Sequence, residues 1–335
     1  MKVSGPVGGI ICQYENRKIT FLSDYHNSTD GVCGLDCKDI KNGRVQGQGN
    51  CYTLSYYIHQ LLSFGIDLFL EAAFVVKDGL ERKRNENMDN IDIILSEYHN
   101  CFLRDKKKNP YLQKSWCHYV DIRDVFDGTF SLEDSREMKG ANPFSGSYIV
   151  RYLDGGGSRR EAEKLISFIL DNAYEYFNYF LFGKDYPLPS FSSILVDEFI
   201  VRSNRRIESY WKGKMVHKVQ KQLEKLPEGK RMTIIEWARK TLEEELLISY
   251  QIFDRWKENI VDTRMYPVSC LVALSSILMD VYTASRIIYH NNNRDVVVYT
   301  GSAHTNNYSN LFTSLGGKIT SRIETVNNLE RCVSM

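Results

Sequence analysis

The sequence predicts an α/β protein: a central, mostly parallel sheet flanked by helices, with a largely helical insertion in the middle of the chain. Three observations carry this expectation. Short runs rich in β-branched and aromatic residues recur at Lys18–Leu22, Ile66–Leu70, Cys117–Arg123 and Asp295–Thr300, and ionisable or polar residues stand at or just beyond their ends. Helical periodicity separates these runs rather than strands and tight turns. The last segment is a long apolar helix followed directly by a strand, the unit that covers a parallel sheet.

Taken in order, the run Lys18–Leu22 is the first strand, and Ser23, Asp24, Tyr25 and His26 follow it. A Gly-, Asn- and Asp-rich loop extends from Asn27 to Asn50, of a length that in compact domains marks a functional lid, a binding loop or a disordered segment. Cys51 to Phe64 reads as a helix ended by Gly65, a natural C-terminal cap. Ile66–Leu70 is the second strand, with Glu71 at its exit. The stretch Lys77–Asn90 is charged and expected on the surface, and Asp92–Phe102 has the pattern of a short helix. The basic run Arg104–Lys108 reads as a solvated loop. Cys117–Arg123 is the third strand, with Asp121, Arg123 and Asp124 towards its end.

From about residue 150 the pattern becomes helical. Ser158 and Glu161 form a capping box, in which each end can satisfy an orphan backbone N–H. The helix it opens extends to Phe182 and stops at Gly183. Charged helical sequence resumes over 193–226, Pro227–Gly229 reads as a turn, and Thr233 with Glu236 forms a second capping box for a helix towards Trp256. Leu271, Leu274, Ile277, Leu278, Val281 and Ile288 share one face of a helix over 266–290. Asp280 and Arg286 lie within it, six residues apart, so they need not pair with each other. Central charges argue against a membrane span. The expected organisation is an α/β core built from 1–150 and 259–335 with 151–258 inserted as a helical subdomain.

Composition limits the functional classes. A chain of 335 residues with 43% hydrophobic and 12% aromatic content can bury a substantial core. Lys and Arg number 43 against 42 Asp and Glu, and a net charge of +1 gives no electrostatic basis for general nucleic-acid binding. The opening residues carry no apolar signal region, so the eight cysteines are expected as free thiols in a reducing cytosol. Cys33, Cys37 and Cys51 lack the paired spacing of a zinc site, and reduced loop cysteines are the better reading. Cys117 beside His118 is a weak thiol–base signal, since adjacent strand residues point to opposite faces.

The strand ends assemble a candidate site. His26, Glu71 and His304 are its centre, with Asp24, Asp121, Arg123 and Arg264 as supporting groups. In an open α/β sheet, side chains past the carboxyl ends of the strands face the ligand crevice. Two imidazoles and a carboxylate are a ligand set for a divalent metal such as zinc, manganese or cobalt, which lowers the pKa of bound water. The same residues serve a metal-free chemistry, in which a histidine oriented by Glu71 or Asp24 acts as general base. Arg123 or Arg264 would hold an anionic substrate or developing oxyanion. Spacing leaves both chemistries open, and Asp121 with Arg123 equally fits a structural ion pair. His59, His99, His118, His217 and His290 lack such a context and read as surface or core residues.

The residues Gly301–His304, Glu71 in Phe69–Ala72, and Ser23–His26 resemble the clan of erythromycin esterases, ChaN-like proteins, TraB/Tiki proteins and a domain of Pasteurella-type toxins. That clan has an early Gly-x-x-His motif, a strand ending in Glu and a late Gly-x-x-His motif. Ser23 stands where the first glycine is usual. Asp262–Met265 resembles the clan's Arg-containing stretch before the last helix and strand. The likeness covers about 18–75 and 260–316. His118–Arg123, Met279–Arg286 and Tyr299–Tyr308 are similar to stretches in uncharacterised proteins of large nucleocytoplasmic DNA viruses. That resemblance implies a viral protein made in the host cytoplasm, not secreted, and a candidate for packaging in the virion.

The resulting expectation is a hydrolase-like protein cleaving an ester or amide of a small molecule or peptide with activated water. The alternative is a catalytically inactive structural or host-interaction protein that keeps the fold and meets a host or virion partner through the helical segment. Haem is suggested only by the ChaN-like likeness and is disfavoured; no membrane contact is expected.

Overall fold

The structure is a computed structural model that describes residues 2–4, 6–24, 37–41, 44–46, 51–73, 94, 98, 101, 110–111, 114–122, 153, 156–183, 186–187, 189, 214–258, 269–290, 292–327 and 330–334. His26, Arg123, Arg264, Cys33, His99, the charged stretch 77–90 and the basic run 104–108 lie outside these residues, as does most of the expected helical stretch before residue 214.

The α/β expectation holds. The chain divides into two compact units, residues 1–122 with 290–335, and residues 123–289. Where the sequence suggested an insertion over 151–258, the helical unit extends to residue 289.

The first unit is built on a nine-stranded mixed sheet. Its strands are β1 (Lys2–Ser4), β2 (Gly8–Tyr14), β3 (Arg17–Asp24), β6 (Cys51–Thr53), β7 (Asp67–Ala73), β8 (Trp116–Asp121), β9 (Val296–Gly301), β10 (Lys318–Asn327) and β11 (Glu330–Ser334), in the order β6-β1-β11-β10-β2-β3-β9-β7-β8. A separate hairpin pairs β4 (Asp39–Lys41) with β5 (Arg44–Gln46). The four strands β3, β9, β7 and β8 are mutually parallel, and they include all four runs foreseen from the sequence. β2 joins β3 as an antiparallel hairpin, turned at Glu15 with φ 52°, and β10 and β11 continue the sheet antiparallel.

β9 (Val296–Gly301) is buried along its whole length, as a strand covered on both faces must be. Side-chain parity sorts the two faces. Leu22, Leu68, Leu70, Val297 and Tyr299 form one cluster with Tyr57, Ile58 and Leu62 of helix α1 (Leu54–Phe64). On the other face Phe21 stacks on Tyr308 of helix α7 (Ser302–Ser314), ring centroids 5.4 Å apart, and also meets Phe312.

α1 starts three residues later than the sequence suggested. Cys51–Thr53 pairs with β1 in parallel, and Thr53 becomes the N-cap, its hydroxyl accepting from Tyr56 N at 3.2 Å. The helix ends at Gly65, in the left-handed region at φ 99°, with its N–H donating to Leu61 O.

Four cysteines expected as free thiols are paired: Cys37 with Cys51, and Cys101 with Cys117. Cys37 and Cys51 therefore do not serve as zinc thiolates, and Cys117 is no nucleophile for His118. Among the described residues Cys12 is a free thiol, and burial pushes its pKa up.

At the amino end of the parallel strands Asp67 is fully buried. Its carboxylate accepts from Asn292 Nδ2 at 2.9 Å and is paired with Arg294 Nη1 at 3.5 Å. The guanidinium of Arg17, also buried, donates to His290 O at 3.3 Å and adds positive charge near Asp67. His118 is a core residue stacked on Phe69, centroids 4.3 Å apart, and His290 tilts against it.

The described residues of the second unit form the helices α2 (Arg159–Asp171), α3 (Ala173–Phe182), α4 (Lys214–Leu223), α5 (Glu228–Lys257) and α6 (Ser269–Tyr289). α6 packs on α5, α4 and α3, and α2 packs on α5. The Ser158 cap forms as foreseen, accepting from Glu161 N at 3.4 Å. The single helix expected to Phe182 is broken at Asn172, whose side-chain amide donates to Phe168 O at 2.8 Å and competes with the helical ladder. The second capping box does not open a helix. α5 begins at Glu228 after Pro227, and Thr233 sits inside it with its hydroxyl donating back to Gly229 O at 3.0 Å. Asp280 is fully buried on α6, and Arg286 donates to Tyr282 OH at 3.2 Å. Among the described residues no helix is long and apolar enough to cross a membrane.

Candidate functional site

Because β3, β9, β7 and β8 run in one direction, their carboxyl ends share one edge of the sheet. Asp24 is the last residue of β3 and lies opposite Gly301, the last residue of β9. Glu71 follows Leu70, which is in register with Tyr299 of β9. Asp121 ends β8 opposite Ala73, beyond an irregularity in the β7–β8 register. Residues some 230 positions apart in sequence are thus brought together by strand pairing alone.

Glu71 is the hinge of the arrangement. One carboxylate oxygen, Oε2, accepts from Gly301 N at 2.7 Å. The other, Oε1, lies 3.3 Å from His304 Nε2. Both side chains are buried, His304 at 5% exposure and Glu71 at 7%. Gly301 is the N-cap of α7, so the carboxylate meets the positive end of that helix and receives a charge-assisted hydrogen bond from its cap. His304 follows the strand end at Gly301 by three residues. It lies in the first turn of α7, where helical geometry fixes its backbone, and its ring stacks towards Tyr308 four residues on, centroids 6.3 Å apart. Thr305 locks the same turn by donating to Gly301 O at 3.4 Å.

Asp24 is 1% exposed, and its Oδ2 accepts from Tyr299 OH at 2.9 Å. By strand parity this pair belongs to the α1 face, whereas Glu71, like Phe69, belongs to the α7 face. Two buried acid pairs therefore flank Gly301 on opposite sides of the sheet edge. Asp121 is half-buried at the end of β8.

The structure thus joins Glu71 with His304 and places Asp24 and Asp121 at the same sheet edge. His26, Arg123 and Arg264 lie outside the described residues. Sequence reading missed Tyr299 and Thr300: both looked like ordinary strand residues, and only their positions two and one places before Gly301 hinted at the edge.

As a cation site, the described residues supply one carboxylate oxygen and one imidazole nitrogen 3.3 Å apart, donors suited to zinc, manganese or cobalt. Among the described residues no group of three or more His, Cys, Asp or Glu side chains is gathered for a metal ion. The third expected ligand, His26, follows Asp24 by two positions. Comparison with known proteins gives no match to a family model, to a curated protein or to a solved structure.

Proposed function

We propose that the edge formed by Glu71 and His304 is a hydrolase-type centre that cleaves an ester or amide with activated water. The observation that carries this reading is the 3.3 Å contact between His304 Nε2 and Glu71 Oε1, with Glu71 held in turn by Gly301 N. A base whose ring is oriented by a carboxylate, itself anchored by the backbone, is the arrangement that general-base catalysis requires. With Nε2–H directed at Glu71, the lone pair resides on Nδ1, which takes the proton as the water oxygen attacks the carbonyl carbon. The carboxylate stabilises the imidazolium so formed. Collapse of the tetrahedral intermediate breaks the bond to the leaving oxygen or nitrogen, and the proton returns from His304 to that atom.

A divalent cation is compatible with the same donors. Glu71 and His304, with His26 as the third residue suggested by sequence, would hold it. It would supply a bound water of lowered pKa. Asp24 with Tyr299, and Asp121, frame the substrate side of the edge, and Arg123 and Arg264 remain the candidates for an anionic group.

The test is turnover of a panel of chromogenic esters and peptide amides, with and without added zinc, manganese or cobalt. His304→Ala and Glu71→Gln are expected to lower kcat by at least about a hundredfold, with the thermal midpoint within a few degrees of wild type. Wild-type turnover in both variants would refute the reading.

A second reading, a non-catalytic interaction protein, has one observation in its favour. Leu247 and Ile248 of α5 are 63% and 48% exposed and adjacent in sequence, and Met232 and Tyr250 of the same helix are exposed as well. Specific capture of a partner that is lost in Leu247→Lys, together with no hydrolysis across the panel, would favour it.

A further inference from the structure

Thr300 is fully buried, and its Oγ1 has no hydrogen-bond partner among the described residues. Its neighbour Tyr299, by contrast, is satisfied by Asp24. A buried hydroxyl without a partner is costly, and such groups in folded proteins usually meet an ordered water or a ligand atom. The position of this one is specific. Thr300 is in register with Ser23 of β3, and Glu71 stands beside it on β7, one residue past the Leu70–Tyr299 pair. Ser23, Thr300 and Glu71 therefore form a polar row across three adjacent strands on the α7 face, directly before the turn that carries His304.

Neighbouring strands are about 4.8 Å apart, so side-chain oxygens side by side on them are too far apart to bond each other without reaching, yet close enough to share a water. A buried water needs two to four polar partners. Thr300 Oγ1, Glu71, His304 and Ser23 offer that number.

We propose that Thr300 is a positioning residue whose hydroxyl holds the water that Glu71 and His304 activate. This rests on the hydrolase reading above and assigns to it the residue that fixes where the nucleophile waits. The hydroxyl accepts from, or donates to, the water oxygen without itself taking its proton, so Thr300 contributes orientation and His304 the acid–base step.

The test compares Thr300→Val, which keeps the shape and deletes the hydroxyl, with Thr300→Ser, which restores it. Both are measured beside wild type and His304→Ala on the full chain. Thr300→Val is expected to lower kcat by about tenfold to a hundredfold, the effect of one lost hydrogen bond to the reacting water. KM is expected to stay nearly unchanged and the melting temperature not to fall. Thr300→Ser is expected to recover kcat to within a few fold.

A crystal structure resolving ordered water gives a readout independent of turnover. It is expected to show a water within hydrogen-bond distance of Thr300 Oγ1 and of Glu71 or His304, absent in Thr300→Val. If His304→Ala is inactive while Thr300→Val runs at the wild-type rate, or if the hydroxyl is dry, the assignment of Thr300 is wrong. If His304→Ala itself retains full turnover, the hydrolase reading fails first.

Discussion

Asp67→Ala is the most demanding stability test of the first unit. Asp67 is fully buried at the start of β7 and faces three groups: Asn292 Nδ2 at 2.9 Å, Arg294 Nη1 at 3.5 Å, and the charge of Arg17, itself 1% exposed. Burial raises the Asp67 carboxyl above its ordinary value, outweighing Asn292 and the two arginines, and lowers the Arg17 pKa against the pull of Asp67. Both directions agree that desolvation exceeds mutual attraction, so the cluster is a costly feature that persists because each member needs the others. Removing Asp67 takes the buried carboxylate away from Arg294 and from the field of the buried Arg17 guanidinium, a change that costs about 3–5 kcal/mol. For a unit of about 150–250 residues, 1 kcal/mol moves the melting temperature by about 2–4 °C, so a fall of roughly 6–20 °C is expected by calorimetry. The double replacement Arg17→Met with Asp67→Leu should recover most of the loss, because it removes both charges together.

The pH dependence of the same site has a definite sign. A raised folded pKa means that the folded protein holds this proton more tightly than the unfolded chain. The linked stability is complete below about pH 4 and is lost as pH rises through the folded value. Wild type should therefore gain stability relative to Asp67→Asn as pH falls from 7 towards 4. A loss below about 1 kcal/mol in Asp67→Ala, or a double variant no better than the single, would refute the account of a mutually dependent buried cluster.

Three further expectations concern other parts of the molecule. Reducing the disulfides Cys37–Cys51 and Cys101–Cys117, which span sequence separations of 14 and 16, removes about 3 kcal/mol each of unfolded-state restriction; calorimetry with and without reductant should show a clear drop in melting temperature, and an unchanged transition would contradict it. Burial pushes the Tyr57 hydroxyl up to about 12, so its linked stability is intact below pH 10 and lost as pH rises through about 12. Tyr119 is raised in the same direction, and absorbance titration should show tyrosinates appearing together with alkaline unfolding rather than before it. Arg159 donates to Trp256 O at 2.7 Å, at the carboxyl end of α5, and its guanidinium lies 4.7 Å from the Trp256 ring centroid. Arg159→Ala should destabilise the helical unit by about 1–2 kcal/mol in urea unfolding, whereas an effect near zero would make the contact incidental.

β9 was legible in the sequence because a strand buried on both faces must be apolar throughout, and Val296–Tyr299 could be little else, whereas β8, at the sheet edge, was legible from its alternation. The end of α1 was legible because Gly65 takes a left-handed backbone that other residues resist. The antiparallel part was not. β10 reads Lys-Ile-Thr-Ser-Arg-Ile-Glu over its first seven residues and is largely exposed as far as Arg322, so it carries little of the alternation that marks a strand. β1, β6 and β11 are three to five residues long, too short for a pattern. The second capping box misled because Thr-x-x-Glu satisfies local rules equally well inside a helix, where the threonine turns back to the preceding turn.

By itself the sequence determined the class of the fold, the strands that carry polar residues to one edge, and the identities of Glu71 and His304 as the residues to examine there. Only the tertiary structure decided that β9 inserts between β3 and β7, which is what puts Gly301 N and His304 Nε2 on the two oxygens of Glu71. It also paired Cys37 with Cys51 and Cys101 with Cys117, and left the Thr300 hydroxyl buried beside that edge. The physical reason is that hydrophobic pattern specifies which face of a strand is buried, while the neighbour it lies beside is chosen by packing and pairing between segments hundreds of residues apart.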